Sequence, residues 1–249
     1  MVSISREDLI KRFSAGERDF SGANVDLEPD LSYLNLSGIN LSSAALHEFF
    51  FEGTNLSGAT LINARMSMVN LEDADLTDAN LSGANLFLGY LNNANFTGAN
   101  LIGANLCNAE LKNANFSNAN LTGADLSYAN FKGAILNSTN IENMLLCGTV
   151  MPDGIIQYQR CREKLIKDYQ QGKSEFARLK LEDINLEELN FSNASFRETS
   201  LCKCNFNNSN LSGVDFTDSD LRNVDLSGAN LGGAIFNNTI MPDGSIHSN

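Results

Sequence analysis

Leu or Phe recurs at every fifth residue along most of this chain, a spacing that neither a helix nor an ordinary strand can use. From Leu31 to Leu146 the beat has 24 positions: 18 Leu, four Phe (Phe51, Phe96, Phe116, Phe131), Met66 and Ile141. It resumes at Phe176 and runs to Phe236 with Leu or Phe at 13 of 13 positions. Two residues before the beat stands Ala in 15 of the first 24 units, as in Ala74-Asp75-Leu76 and Ala84-Asn85-Leu86. A period of five matches neither 3.6 nor 2.0. Residues two apart share a strand face, so the Ala and the Leu of each unit point inward together. The three residues that follow must turn the chain. They are mostly Ser, Thr, Gly, Asn and Asp, which hydrogen-bond locally or tolerate unusual backbone angles. Each unit is a very short strand plus a corner, small and large side chains alternate to fill a narrow interior, and the product is a solenoid.

Units such as Ala99-Asn100-Leu101-Ile102-Gly103 and Ala124-Asp125-Leu126-Ser127-Tyr128 resemble the pentapeptide-repeat family, whose consensus is A-[DN]-L-x-x. The resemblance covers roughly residues 18–151 and 174–241. It implies an all-β fold, a right-handed quadrilateral parallel β-helix with four units and about 20 residues per coil. Stacked coils pair like neighbouring strands, at ~4.8 Å each. Residues 31–146 then make a rod of about 29 Å, and residues 176–236 one of about 15 Å.

A second level of repetition divides the chain. Leu9-Ile10-Lys11-Arg12-Phe13, Gly16 and Phe20 match Leu165-Ile166-Lys167-Asp168-Tyr169, Gly172 and Phe176. Thr149-Val150-Met151-Pro152-Asp153-Gly154 matches Thr239-Ile240-Met241-Pro242-Asp243-Gly244. Each copy reads as a short amphipathic helix, a Gly stop, a run of repeats and a Pro-Asp-Gly turn. Two modules are expected, 1–157 and 158–249, each with an N-terminal helix covering the open coil end that would otherwise expose unpaired backbone. The Met241 to His247 run is similar to the C-terminus of cyanobacterial members of the family, including a regulator of heterocyst differentiation, which weakly implies a regulatory role.

Little here supports catalysis. The only histidines are His47 and His247, and no phosphate loop, nucleophile elbow or zinc signature is present, so neither an enzyme nor a bound cofactor or metal is expected. The slot before Leu holds Asp75 and Asp125 but also 13 asparagines in the first run, which points to ladder hydrogen bonding rather than proton transfer. Cys107 and Cys147 fall on one corner two coils apart, about 9.6 Å by strand spacing and too far to bridge. Cys204 falls on an inward slot, and Cys161 on the apolar face of the second helix with Tyr158, Leu165 and Tyr169. Five free thiols are expected, in keeping with a reducing compartment. With no apolar run long enough for a membrane span and no signal-like start, the chain reads as cytoplasmic, without membrane contact.

The net charge of −13 raises the idea of a DNA mimic that inhibits or protects a DNA-binding enzyme such as gyrase, as some family relatives do. No charged residue occurs from Ala79 to Ala109, so the negative track is interrupted and a solubility role for the charge is preferred. Sorting outward positions by a 20-residue coil gathers His47, Phe50, Met68, Phe87, Leu88, Tyr90 and Tyr128 into one apolar and aromatic stripe. Phe49, in a small inward slot, should strain its coil. Contiguous exposed apolar patches mark partner surfaces. The expected function is a non-enzymatic protein–protein interaction scaffold or regulator that does not bind nucleic acid directly. Its partner is another protein or a second copy. The alternatives are the DNA mimic and a structural homo-oligomer.

Overall fold

The computed structural model describes residues 3–26, 30–177, 179 and 181–247. The chain divides into two compact units, Met1–Gln159 and Arg160–Asn249. Both are built on one rule. From Asp30 onward parallel bridges join residue i to residue i+20, four to a coil, as in Asn70↔Tyr90, Asp75↔Asn95, Asn80↔Asn100 and Asn85↔Asn105. The result is a right-handed parallel β-helix with four sides.

One unit shows why five residues suffice. In Asp75 to Ala79, Leu76 points inward and Thr77 and Asp78 turn the chain, with Ala79 N–H donating to Leu76 C=O at 3.0 Å. Asp78 holds φ 56°, as the third residue of a type II turn requires. The Asp75 carboxylate accepts from the Thr77 N–H at 3.0 Å and from its hydroxyl at 2.6 Å. Asn performs the same bond in Asn80, Asn95, Asn105 and Asn115. The slot before Leu therefore accepts Asp or Asn because one side-chain oxygen holds its own corner. The ladder donation between coils (Asn105 to Asn85, 3.1 Å) is a second use of the same residue.

Inside, most of the Leu/Phe column and of the slots two residues before it are buried in both units, while Leu136, Leu226, Leu231 and Phe236 near the run ends are half-buried and Ile141 is exposed. Where the small slot carries Thr, its hydroxyl donates to the carbonyl 23 residues earlier, whereas Ser219 donates to Phe216 C=O in its own unit. Thr54 donates to Leu31, Thr149 to Leu126, Thr199 to Phe176 and Thr239 to Phe216, all at 2.7–3.0 Å. Cys204 occupies such a slot and donates to Leu181 C=O. Burial pushes its thiol up to about 12, so it is an inert filler. Phe49 is buried in its small slot at the expense of its turn bond, which lengthens to 3.4 Å against 3.0 Å at Thr54. Below it the same slot narrows to Val69 and then Gly89. The second unit is richer in rings. Phe176, Phe196, Phe216 and Phe236 stack with centroids 5.3, 5.9 and 5.5 Å apart.

The unit starts break the rhythm. Strand β1 (Ser3–Ser5) leads into helix α1 (Arg6–Ser14), whose N-cap Ser5 accepts from the Asp8 N–H, and β1 pairs in parallel with β2 (Asn24–Asp26). Leu9 of α1 is buried in the same core as Ile4, Phe20 and Leu31. The first bridges, Asp19↔Asn40 and Asn24↔Ala45, span 21 residues instead of 20, so one extra residue precedes the regular beat. In the first unit β3 (Leu146–Val150) then pairs antiparallel with β4 (Ile156–Gln159) around the Pro152-Asp153-Gly154 turn. In the second, helix α2 (Cys161–Gln170) buries Leu165 and lays Tyr169 edge-on against Phe191 at 5.5 Å, its hydroxyl donating to Ser192 C=O. A matching hairpin, β5 (Thr239–Ile240) with β6 (Ile246–His247), closes the second run.

Two readings of the sequence need correction here. Tyr158 belongs to β4, because α2 begins only at Cys161. The five cysteines are not all free: Cys147 and Cys161 are disulfide-bonded, while Cys107, Cys202 and Cys204 are free. Coil arithmetic weighed Cys147 only against Cys107. Cys147 keeps the coil register, its C=O accepting from the Tyr128 N–H at 2.8 Å, and β4 returns antiparallel beside it with Tyr158 opposite. The free-thiol argument for a reducing compartment does not hold for this pair.

A candidate protein-contact side of the first unit

Corner geometry decides where the seven stripe residues go. The chain turns at Phe87-Leu88, and Tyr90 is the bridge residue of the next side, which ends at the Asn92-Asn93 corner. His47, Met68, Phe87, Leu88 and Tyr128 are therefore corner residues, and Phe50 and Tyr90 lie on the side beyond that corner. All seven border one side of the coil. Along its middle runs the ladder Phe50–Asn70–Tyr90–Glu110–Asn130.

The structure brings five of them together. Phe50, Met68, Leu88 and Tyr90 are 48%, 40%, 39% and 54% exposed, and Phe87 is half-buried beside Leu88. Met68 and Leu88 follow one another on adjacent coils, about 4.8 Å apart. Both hold left-handed backbone angles, φ 56° and 57°. That conformation suits Gly, Asn and Asp and costs other L-residues roughly 1–2 kcal/mol. Asn or Gly fills many equivalent corners here, among them Asn63, Gly83, Gly103 and Asn108. Large exposed apolar side chains at two such corners are unfavourable for folding, and strain of this kind concentrates where function requires it.

The other two sit apart. His47 bonds Ser67 Oγ at 2.7 Å and Glu48 at 3.3 Å. Tyr128 is separated from Leu88 by Asn108. It is half-buried, its hydroxyl lies 3.5 Å from Cys147 Sγ, and its ring lies over Gly148, where a Cβ would come within 2.6 Å. Tyr128 therefore serves the terminal hairpin. Tyr33, 72% exposed on the far corner of the same side, is the residue the sequence reading missed. Its hydroxyl donates to Glu52, which raises the phenol's pKa. The signal was present, since Tyr33 lies 20 residues before Gly53, and a Cβ on Gly53 would meet the Tyr33 ring at 2.7 Å.

The far corner carries a charge sequence. Down the coils it reads Glu52, Glu72, Asn92, Lys112, Lys132. The Asn92 amide ties its centre together, donating to Glu72 at 2.7 Å and accepting from the Lys112 N–H at 3.0 Å. Lys112 also pairs with Glu110 at 3.0 Å. Elsewhere the acids behave as turn acceptors. Asp225, bonded by Ser227, and Asp243, bonded by Ser245, are held below the usual carboxylate range. Among the described residues no group of His, Cys, Asp or Glu could hold a metal ion, and no helix is long and apolar enough to cross a membrane.

The sequence matches the pentapeptide repeats family over residues 35–73, 54–87, 90–127 and 114–151, and a pentapeptide repeat region over residues 172–242. No curated protein matches it. Among solved structures it is similar to HetL, a pentapeptide repeat protein involved in heterocyst differentiation regulation from the cyanobacterium Nostoc sp. strain PCC 7120. Identity is 26% over 98% of this chain and 100% of that one, with a TM-score of 0.32. It is also similar to QnrB1, a plasmid-mediated fluoroquinolone resistance protein, at 16% identity over 93% of this chain and 87% of that one, TM-score 0.33. A pentapeptide repeat protein from the Arabidopsis thaliana thylakoid lumen is 27% identical over 55% of this chain and 74% of that one, TM-score 0.25. With both repeat runs matched and each coil closed by the same five-residue turn, the chain belongs to the pentapeptide-repeat family.

Proposed function

We propose that this protein is a non-enzymatic interaction scaffold whose first unit offers the side bordered by Phe50, Met68, Phe87, Leu88 and Tyr90 to a protein partner. The observation that carries the reading is the pair of large apolar residues, Met68 and Leu88, held exposed in left-handed backbone on adjacent coils. Aromatic and Met side chains are the types enriched in interface cores, and a rigid solenoid loses little entropy on docking. The two compact units are taken as separate modules, with α1 and α2 covering their first coils. Lys112 and Lys132 on this side interrupt any negative track, so the DNA-mimic reading is not preferred; inhibition of gyrase supercoiling by the purified protein at sub-micromolar concentration would restore it.

The test is the triple variant Phe50→Ser, Phe87→Ser, Tyr90→Ser. Its melting temperature is expected to stay close to that of the wild type, because surface changes of this kind fall within about ±0.5 kcal/mol each. Proteins captured by the wild type are expected to be lost by the variant, since buried aromatic anchors contribute ~2 kcal/mol or more each. An unchanged fold with unchanged capture removes the reading.

A further inference from the structure

The order of charges on the far corner is costly as an intramolecular arrangement. Glu52 and Glu72 are neighbours on adjacent coils, and so are Lys112 and Lys132, ~4.8 Å apart in each case. Like charges directly opposite in a ladder repel, and alternating the same four residues would remove that cost. Segregation has a different property: Glu-Glu-Asn-Lys-Lys read in reverse is its own electrostatic complement. A two-fold axis lying in this side, perpendicular to the rod and level with Asn92, sets each ladder against itself in the opposite direction.

We infer that this side binds a second copy of the chain, antiparallel, about that axis. The inference rests on the protein-contact reading above and names its partner. Glu52 then faces Lys132 of the second copy, Glu72 faces Lys112, and Asn92 faces Asn92. The remaining ladders obey the same operation. On the middle ladder Tyr90 meets Tyr90, Phe50 meets Asn130 and Asn70 meets Glu110. On the near corner Leu88 meets Leu88, Met68 meets Asn108 and Glu48 meets Tyr128. No like charges meet on these three ladders, and the exposed Leu88 and Tyr90 fall at the centre, where an isologous contact buries them twice. The charge pairs flank that apolar centre as a rim and fix the register. The side spans about 29 Å by 10 Å, or roughly 300 Å² per copy. That is small beside the ~800 Å² per partner of a standard interface, so the association is weak and reversible.

Sedimentation of the full-length protein across concentrations up to about 1 mM tests this, with charge reversals as the discriminating variants. The wild type is expected to form a reversible dimer. Glu72→Lys and Lys112→Glu should each weaken it about tenfold or more. The double variant carrying both should recover it, because the second copy supplies the opposite charge; within one chain residues 72 and 112 lie two coils apart with Asn92 between them. A protein with Glu52→Lys and Glu72→Lys should not self-associate. Neither should one with Lys112→Glu and Lys132→Glu, yet the two should form a one-to-one complex when mixed. Circular dichroism and melting of each variant identify any that fail to fold, and the mixing arm replaces those. A wild type that stays monomeric overturns the inference, as does a dimer indifferent to these charges. Stripe-dependent capture of another protein would leave the broader reading standing in either case.

Discussion

At Leu88 two demands on a single residue pull apart. Its backbone is left-handed, which favours Asn, and its side chain is 39% exposed, so folding gains little from a Leu there. Replacing it with Asn should raise the unfolding free energy by about 1 kcal/mol, read from urea denaturation, while weakening association through this side. A Leu88→Asn variant that is less stable would show that the Leu contributes packing, and the argument from strain would fall with it. Tyr128 shows the opposite situation. Its corner is also left-handed at φ 61°, but the ring lies over Gly148 and its hydroxyl reaches Cys147, so the residue is explained by the hairpin it covers. Two large side chains on the same column thus have different uses, and only their neighbours in the next coil distinguish them.

Within one coil, the inward and outward slots should tolerate change very differently. Ala104 is fully buried between the Leu columns, so Ala104→Leu should cost on the order of 1–3 kcal/mol by overpacking. Asn105 beside it keeps its corner by accepting from the Cys107 N–H at 3.1 Å, a bond a carboxylate makes equally well. Asn105→Asp would lose the 3.1 Å donation to Asn85 and set a charge next to Asp125 in the ladder. About 1 kcal/mol or less is expected. Melting the two variants side by side checks the slot assignment, and equal losses would contradict it. The extra residue in the first coil is an exception of the same kind. It shifts the bridge spacing to 21 exactly where β1 and α1 join the solenoid, so the regular beat begins only at Leu31.

For the molecule as a whole, repeat architecture makes each coil depend chiefly on its neighbours. The first unit holds its own α1, its own run of coils and its own β3–β4 hairpin. Expressed alone as residues 1–159 in the presence of a reductant, since Cys147 is disulfide-bonded in the full chain, it should unfold cooperatively with a β-type circular dichroism spectrum. A fragment that is soluble only when residues 160–249 are supplied would show that the second unit completes the first, and the two-module proposal would fail.

The five-residue beat by itself determined a solenoid of very short strands and corners, with inward Ala and Leu columns and polar turns. The parallel β-helix of four units per coil is what the family resemblance implied and the bridges show. The columns and corners are consequences of local geometry: side chains two residues apart share a face, and a turn must follow every fifth residue. The repeated helix and Pro-Asp-Gly segments were equally legible, because each is a local signal that appears twice. Tertiary structure decided which outward residues are neighbours across corners and coils. It separated Tyr128 and His47 from the apolar group, added Tyr33, and returned β4 antiparallel beside the Cys147 segment. It also lined up Glu52, Glu72, Asn92, Lys112 and Lys132, residues 20 apart in sequence but one strand spacing apart in space, because contact along a solenoid is set by coil closure rather than by sequence separation.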